Sequence, residues 1–191
     1  MNTLEAIERR RSIRRFRSDP IPDEVMEKIL RAGTLAPSGK NRQPWRVIVV
    51  RPDKRAEMVR VMREGTARLK AQGVNPGSSE WTAKVMEQAP VTAFVFNENA
   101  EHAQAHHDIG DLLMNIVDVQ SIGASIQNML LAAQDMGIGS LWICDVFYAY
   151  EELCAWLGQT HQMIAAVSFG YPDEQPDARP RKAVGEVTQW L

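Results

Sequence analysis

Apolar and polar positions follow one dominant rhythm in the middle of the chain. Leu112, Ile116, Val119, Gly123, Ile126, Leu130, Ala133 and Gly137 fall at alternating spacings of four and three, the seam of one long helix lying along another. A second stripe, Leu113, Val117, Ala124 and Leu131, widens the apolar surface and predicts burial on more than one side. A helix of about 27 residues spans roughly 40 Å. That is long for one small domain, so the pattern fits either an internal core helix or the core of a homodimer.

Shorter patterns surround it. Asn2, three residues before Glu5, predicts a capped first helix that turns Leu4 and Ile7 inward. "DPIPDEVMEKILRAGTLAPSG" predicts a helix with Val25, Ile29 and Leu30 on one face, ending near Pro37. "RVIVV" (46–50) and "VTAFVF" (91–96) are strands; Pro52 and Asp53 start a helix carrying Met58, Val59 and Met62, and "QGVNPGSSEW" is a loop. After Gly139, "SLWICDV" is a strand, "YEELCAWLG" a helix and "MIAAVSFG" a buried strand closed by "GYP". Strands alternating with helices give an α/β or α+β class. There is no internal repeat and no second-domain boundary, so residues 1–191 are expected to form one domain.

Composition narrows the setting. A chain of 191 residues buries about 70% of its unfolded surface and needs no covalent staples. Cys144 and Cys154 are the only cysteines and form no CxxC pair, which points to a reducing, cytoplasmic compartment. The N-terminus lacks the apolar core of a secretory signal. Asn115, Asp118, Gln120, Ser121, Gln127 and Asn128 interrupt the long apolar region, so no membrane span is expected.

The charge pattern is the chemical clue. "RRRSIRRF" packs Arg9, Arg10, Arg11, Arg14 and Arg15 around Ser12 and Ile13, although the whole chain carries 22 basic and 24 acidic residues. Nucleic-acid binding is one reading of such a cluster, but neither the overall charge nor any aromatic interleaving accompanies it. A solvated basic face is the second. The third is a small phosphorylated ligand, since guanidinium groups pair bidentately with phosphate oxygens. "GIGSLW" is not GxGxxG and enters a strand rather than a helix, and no GxxxxGK[ST] loop occurs, so neither a Rossmann dinucleotide site nor a P-loop is indicated. "HAQAHHD" places His102 and His106 four apart before Asp108, without a third ligand at metal-site spacing; no metal is expected.

Four segments in order, "RRSIRRF", "APSGKNRQPW", "AAQDMGIGSLWI" and "RPRKAVGEV", resemble the nitroreductase family of FMN-dependent oxidoreductases, over a span from about Leu4 to Trp190. The resemblance implies an α+β sandwich, a mainly antiparallel sheet flanked by helices, in an intertwined homodimer with a long central helix and a crossing C-terminal arm, here "EVTQW". It implies that Arg10, Arg11, Ser12 and Arg14 line the FMN site. Arg10 and Ser12 would lie toward the phosphate and ribityl chain, and Arg14 near the pyrimidine ring, where a fixed cation stabilises the reduced flavin. Pro37, Ser38, Gly39 and Asn41 would reach the flavin from the other subunit. Trp142, Ile143 and Cys144 would lie against the isoalloxazine, Cys144 and Asp145 departing from the family's usual residues, with Cys144 read as a buried small hydrophobe. Ser121 would face the flavin edge. Arg181 would contact the phosphate, with Arg179 and Lys182 as second choices and Ala183 where the family commonly has proline.

The function so implied is ping-pong oxidoreduction from NADH or NADPH through flavin to a nitroaromatic, quinone or similar small acceptor. The protein supplies no catalytic acid, base or nucleophile. Alternatives on the same scaffold are reductive dehalogenation, flavin breakdown and dehydrogenation of an enone or peptide. Outside it stands a non-catalytic flavin- or nucleic-acid-binding protein. The segment from Ala67 to Gln88, with Trp81 and Lys84, is expected as a loop bordering the substrate space.

Overall fold

The computed structural model describes residues 2–101 and 108–191. Its sheet has four antiparallel strands: β1 (Trp45–Val50), β2 (Val91–Glu101), β3 (Gly139–Ile143) and β4 (His161–Gly170), in the spatial order β1-β2-β4-β3. Around it run α1 (Thr3–Arg9), α2 (Asp23–Thr34), α3 (Pro52–Ala71), α4 (Ser79–Gln88), α5 (Ile109–Asp135), α6 (Tyr150–Leu157) and a short α7 (Val184–Val187).

Both sheet faces are covered, which explains why β2 and β4 read as unbroken apolar runs rather than as alternation. Phe94, Phe96, Leu141, Ile143, Met163 and Ala166 face α3, α4 and α6 through Met58, Met62, Met86 and Leu153. Ala93, Val95, Ala165, Val167 and Phe169 face α2 and α5 through Ile29, Ile122, Ile126 and Met129. The mixed helix-and-sheet sandwich expected from the sequence is present.

Local chemistry sets the helix ends. The Asn2 side chain accepts from Glu5 N at 2.9 Å while the Glu5 carboxylate accepts from Asn2 N at 3.1 Å, a capping box for α1. Asp108 caps α5 by accepting from Asp111 N at 2.9 Å. Gly137, at φ 72°, closes α5, with Ile138 N donating to Ala133 O at 2.8 Å and Gly137 N to Gln134 O at 3.2 Å.

Four expectations need correcting. Leu4 and Ile7 are 70% and 50% exposed and only Ala6 of α1 is buried; a seven-residue helix at the chain end meets the core along too short a line to bury three positions. On α5 the buried face is Asp118, Ser121, Ile122, Ser125, Ile126, Met129, Leu130 and Ala133, so Leu112 and Ile116 of the expected seam lie exposed. The helix is apolar on several faces, and periodicity alone does not select one. Residues 79–88 form α4 rather than part of a loop. "SLWICDV" leaves the sheet at Ile143, and Asp145–Ala149 is a 3-10 turn. His102 and His106 lie outside the described residues.

The fold's contribution to the site is made at the β3–β4 end. The register pairs Gly139 with Gly170, and the N-terminal segment packs on both. A Cβ on Gly139 would meet Ile13 Cγ1 at 2.9 Å; one on Gly170 would meet Pro90 Cδ at 2.7 Å and Phe16 Cδ1 at 2.8 Å. Residues 12–17 are stitched there by Ile13 N to Ser140 O (2.9 Å), Arg17 N to Tyr171 O (2.9 Å) and Asp173 N to Arg15 O (3.0 Å). A strand glycine replaced by alanine ordinarily gains backbone stability. At position 170 the sign reverses: Gly170→Ala is expected to cost about 1–3 kcal/mol through overpacking against Pro90 and Phe16, measured by equilibrium denaturation, and a stabilised variant would contradict this packing.

Candidate functional site: an arginine-lined cavity

The stitched segment delivers its arginines to one place. Arg10, Arg11, Ser12 and Arg14 from the N-terminus, Gln127 from α5, and Pro176, Asp177, Ala178, Arg179 and Arg181 from the C-terminal segment after β4 line a cavity of about 530 Å³, together with Ile7 and Glu8. That volume falls within the roughly 300–1,000 Å³ of small-molecule sites.

Its electrostatics are unusual. Arg15, Arg17, Arg42, Arg51, Arg60, Arg63 and Arg68 are each ion-paired with a carboxylate. Among the described residues none of Arg10, Arg11, Arg14, Arg179 and Arg181 is. Burial, followed by the neighbouring Arg181 and Arg11 charges, holds the Arg10 guanidinium below the ordinary arginine value. Arg11 donates through Nη1 to Glu8 O (2.6 Å) and Arg10 O (2.9 Å), while its buried Nε has no partner. Arg181 Nη1 turns back to Arg179 O (3.2 Å) and Pro180 O (3.1 Å). Such a cluster suits an anion: guanidinium groups crowded without acid partners gain most from a multiply charged oxyanion.

Arg14 marks a second end. It donates from Nη1 to Ser12 O at 3.1 Å, and its Cζ lies 5.7 Å from the Trp81 ring centroid. Trp142 is 36% exposed and passes within 3.9 Å of a Cβ position on Gly123, one helical turn from the cavity's Gln127. Ile143 is buried. Cys144 is exposed rather than buried as expected, because the strand has ended and the next inward position is Val146. Partial burial still lifts the Cys144 thiol above its ordinary value, and burial pushes Cys154 up to about 11. Neither thiol is a ready nucleophile at neutral pH.

The Pro37–Asn41 residues are not at this cavity. They form a turn over the N-terminal half of α5, where Gly39 N donates to Ser121 Oγ at 3.4 Å and a Cβ on Gly39 would collide with Val117. Ser121 is 7% exposed and its hydroxyl also donates to Val117 O at 2.8 Å, so it supports this turn from beneath. Ser121 and Gln127 stand six residues apart, roughly 9 Å along the helix. Lys40, Asn41 and Gln43 all adopt positive φ, at 52°, 55° and 47°. Strain of that kind persists only where surroundings enforce it. Here Gln43 N donates to Ser38 Oγ at 3.0 Å, and Arg42 grips Asp118 with both Nε (3.1 Å) and Nη2 (3.0 Å) while Asn99 Nδ2 donates to the same carboxylate at 3.3 Å.

Sequence reasoning missed Asp118, Arg42 and Asn99 in this role, although an acid inside an apolar helix was a signal that a cation must meet it. It also missed Gln127 and the Asp145 carboxylate, which accepts from Ser78 Oγ at 2.7 Å and Thr82 Oγ1 at 2.5 Å.

Residues 7–171 match the model of the nitroreductase family. The chain belongs to that family. Among relatives of the nitroreductase family, an NADH dehydrogenase of Thermus thermophilus is 36% identical over 95% of this chain and 92% of its own length. An NADPH-flavin oxidoreductase of Vibrio harveyi is 28% identical over 94% of this chain and 70% of its own. A crystal structure of a nitroreductase-type protein from Desulfovibrio desulfuricans with FMN superimposes with a TM-score of 0.77 at 27% identity, covering 100% of this chain and 97% of that one. Among the described residues no helix is long and apolar enough to cross a membrane.

The Asp118 clamp makes a separable prediction. Arg42→Ala leaves a carboxylate that is 2% exposed without its cation, and is expected to cost about 1–3 kcal/mol in equilibrium denaturation. Arg51→Ala, which breaks an exposed pair with Asp23, should change stability by no more than about 1 kcal/mol.

Proposed function

We propose that the chain is an FMN-dependent oxidoreductase that takes reducing equivalents from NADH or NADPH and passes them, in a ping-pong cycle, to a nitroaromatic, quinone or similar small acceptor. The observation that carries this reading is the set of acid-free guanidinium groups from both ends of the chain around one cavity. FMN-dependent oxidoreduction in general is supported by the family and by relatives named as flavin and NAD(P)H oxidoreductases.

The residues present fit the group. The orphan Arg11 Nε, the open charges of Arg10 and Arg181 and the Ser12 hydroxyl would hold the phosphate. Arg14, at the other end, would lie by the pyrimidine ring, and the backbone of Trp142, Ile143 and Cys144 would flank the tricycle. When bound, FMN supplies the hydride chemistry itself. The chain's own work is to bind, orient and set the electrostatics: an arginine near the ring keeps its charge at any working pH.

A homodimer completes the reading. Leu4, Ile7, Leu35, Ile109, Leu112, Leu113 and Ile116 are all exposed, and an apolar surface of that extent favours a partner. The partner's Pro37, Ser38, Gly39 and Asn41 would then reach the flavin that one chain's own turn does not, and the exposed tail through Val187 and Trp190 would cross to the other subunit. We read residues 1–191 as one domain of that assembly.

Purified protein is expected to be yellow, with flavin absorbance that bleaches anaerobically on adding NADH or NADPH and returns with a quinone or nitroaromatic. Arg10→Ala and Arg181→Ala should each weaken FMN binding by roughly 10- to 100-fold, the worth of about 1.5 to 3 kcal/mol for a charged hydrogen bond, in titrations of the apoprotein followed by flavin fluorescence. A colourless protein that FMN cannot reconstitute would end the proposal.

A further inference from the structure

Outside the phosphate end of the cavity, α4 carries an arrangement that flavin binding does not by itself require. Ser78 stands at the N-cap position of α4 but makes no capping hydrogen bond to the helix. Its hydroxyl goes instead to the Asp145 carboxylate at 2.7 Å, where Thr82, one turn further on, joins it at 2.5 Å. Thr82 is 5% exposed while Ser78 lies at the surface, so the clasp is shielded from water on its Thr82 side. A carboxylate at this spot also meets the positive end of the helix dipole. The 145–149 turn meets the segment a second time, with Tyr148 Oη 3.5 Å from a Cβ position on Gly77.

Between the two clasped hydroxyls lies Trp81. It is 47% exposed and belongs to neither core cluster. The Arg14 guanidinium stands over its ring, with Cζ 5.7 Å from the centroid. Arg14 is thus held twice, by the aromatic face and by the Ser12 carbonyl at 3.1 Å, which leaves its remaining N–H edge for a ligand. An arginine that must present one edge to a planar ring loses binding if it is free to swing, because ordering a long side chain costs conformational entropy at the moment of binding.

We propose that Trp81 is a positioning residue for the flavin ring, fixing the Arg14 guanidinium, and that Asp145 positions Trp81 by clasping Ser78 and Thr82. This rests on the flavin reading above, with Arg14 at the ring end. It assigns α4 and the residue after Cys144 to one device: the chain that leaves β3 beside the ring also holds the helix that braces the ring's cation.

The test uses full-length apoprotein titrated with FMN and with riboflavin, which keeps the ring and lacks the phosphate. Trp81→Leu is expected to weaken both flavins by about 2- to 5-fold, the worth of a half-exposed cation–π contact, whereas Arg181→Ala weakens FMN alone. Trp81→Phe, which keeps an aromatic face, should restore most of the loss. Asp145→Ala should reproduce the Trp81→Leu effect and add nothing to it in the double variant, while Asp145→Asn, still an acceptor for the two hydroxyls, should lie close to the parent. The decisive comparison is the cycle with Arg14→Ala. In that background Trp81→Leu should change neither affinity, because the group it acts through is gone. Undiminished loss in the Arg14→Ala background, or unchanged binding in Trp81→Leu, overturns the proposal. If Asp145→Ala does not fold, the Trp81 and Arg14 cycle decides alone. Failure of the parent protein to bind either flavin rejects the flavin reading itself, an outcome distinct from normal flavin binding that ignores Trp81.

Discussion

Like charges brought together around one cavity repel, and the architecture at the β3–β4 end exists in tension with that repulsion. Arg10 lies partly buried beside Arg11 and Arg181, and burial first, then those neighbouring charges, holds its guanidinium below the ordinary arginine value. A free chain would relax it by swinging the two termini apart. Here the N-terminal segment is stitched backbone to backbone along Ser140, Tyr171 and Asp173, and the nearby Glu174 carboxylate is taken by the Arg14 and Arg15 backbone N–H groups and by Arg15 Nε. The electrostatic cost is therefore locked in by hydrogen bonds and packing whose groups are not those that carry the charge. A bound dianion removes the cost, which is the physical sense in which the site is preorganised.

Two glycines make that stitching possible. Gly139 and Gly170 face each other across the β3–β4 ladder, and each leaves the space that Ile13 or Phe16 fills. Both inserted side chains are 7% exposed and belong to the core formed with α3, α4 and α6. Arg14 and Arg15 sit between Ile13 and Phe16. With both apolar residues buried, Arg14 is left half-buried and Arg15 exposed. The site is a by-product of how the segment is buried.

That logic explains what was legible in the sequence. The strands at 46–50, 91–96 and within 161–170, the helix over 109–135 and the basic cluster all announce themselves by composition and period, and the family's four segments set their order. What was not legible depended on contacts remote in sequence. The buried face of α5 keeps Ile126, Leu130 and Ala133 of the apolar stripe but also takes in Asp118, held by Arg42 from a turn 76 residues away. The exposure of Cys144 followed from where β3 stops, a boundary that an apolar run continuing through Val146 conceals. α4 was hidden by the Asn75, Pro76 and Gly77 signals just before it; its helix is capped by no side chain of its own, its Ser78 hydroxyl being committed to Asp145.

The strained turn at 40–43 and the arginine cavity stand on different stretches of α5, and this separation has a structural consequence. Three non-glycine residues in the left-handed region are held by a carboxylate, a serine hydroxyl and the α5 surface, a degree of support that a surface turn with no task does not need. Yet in one chain nothing brings that turn to the cavity lined by Arg10 and Gln127. On the homodimer reading proposed above, these two elements would be reconciled by a two-fold arrangement in which each copy's turn serves its partner's cavity. The exposed apolar face at the N-terminal half of α5, immediately beside the turn, is where such an arrangement would be sealed. Binding and assembly would then be linked, because a ligand spanning both chains stabilises the dimer by the same free energy with which the dimer tightens the ligand.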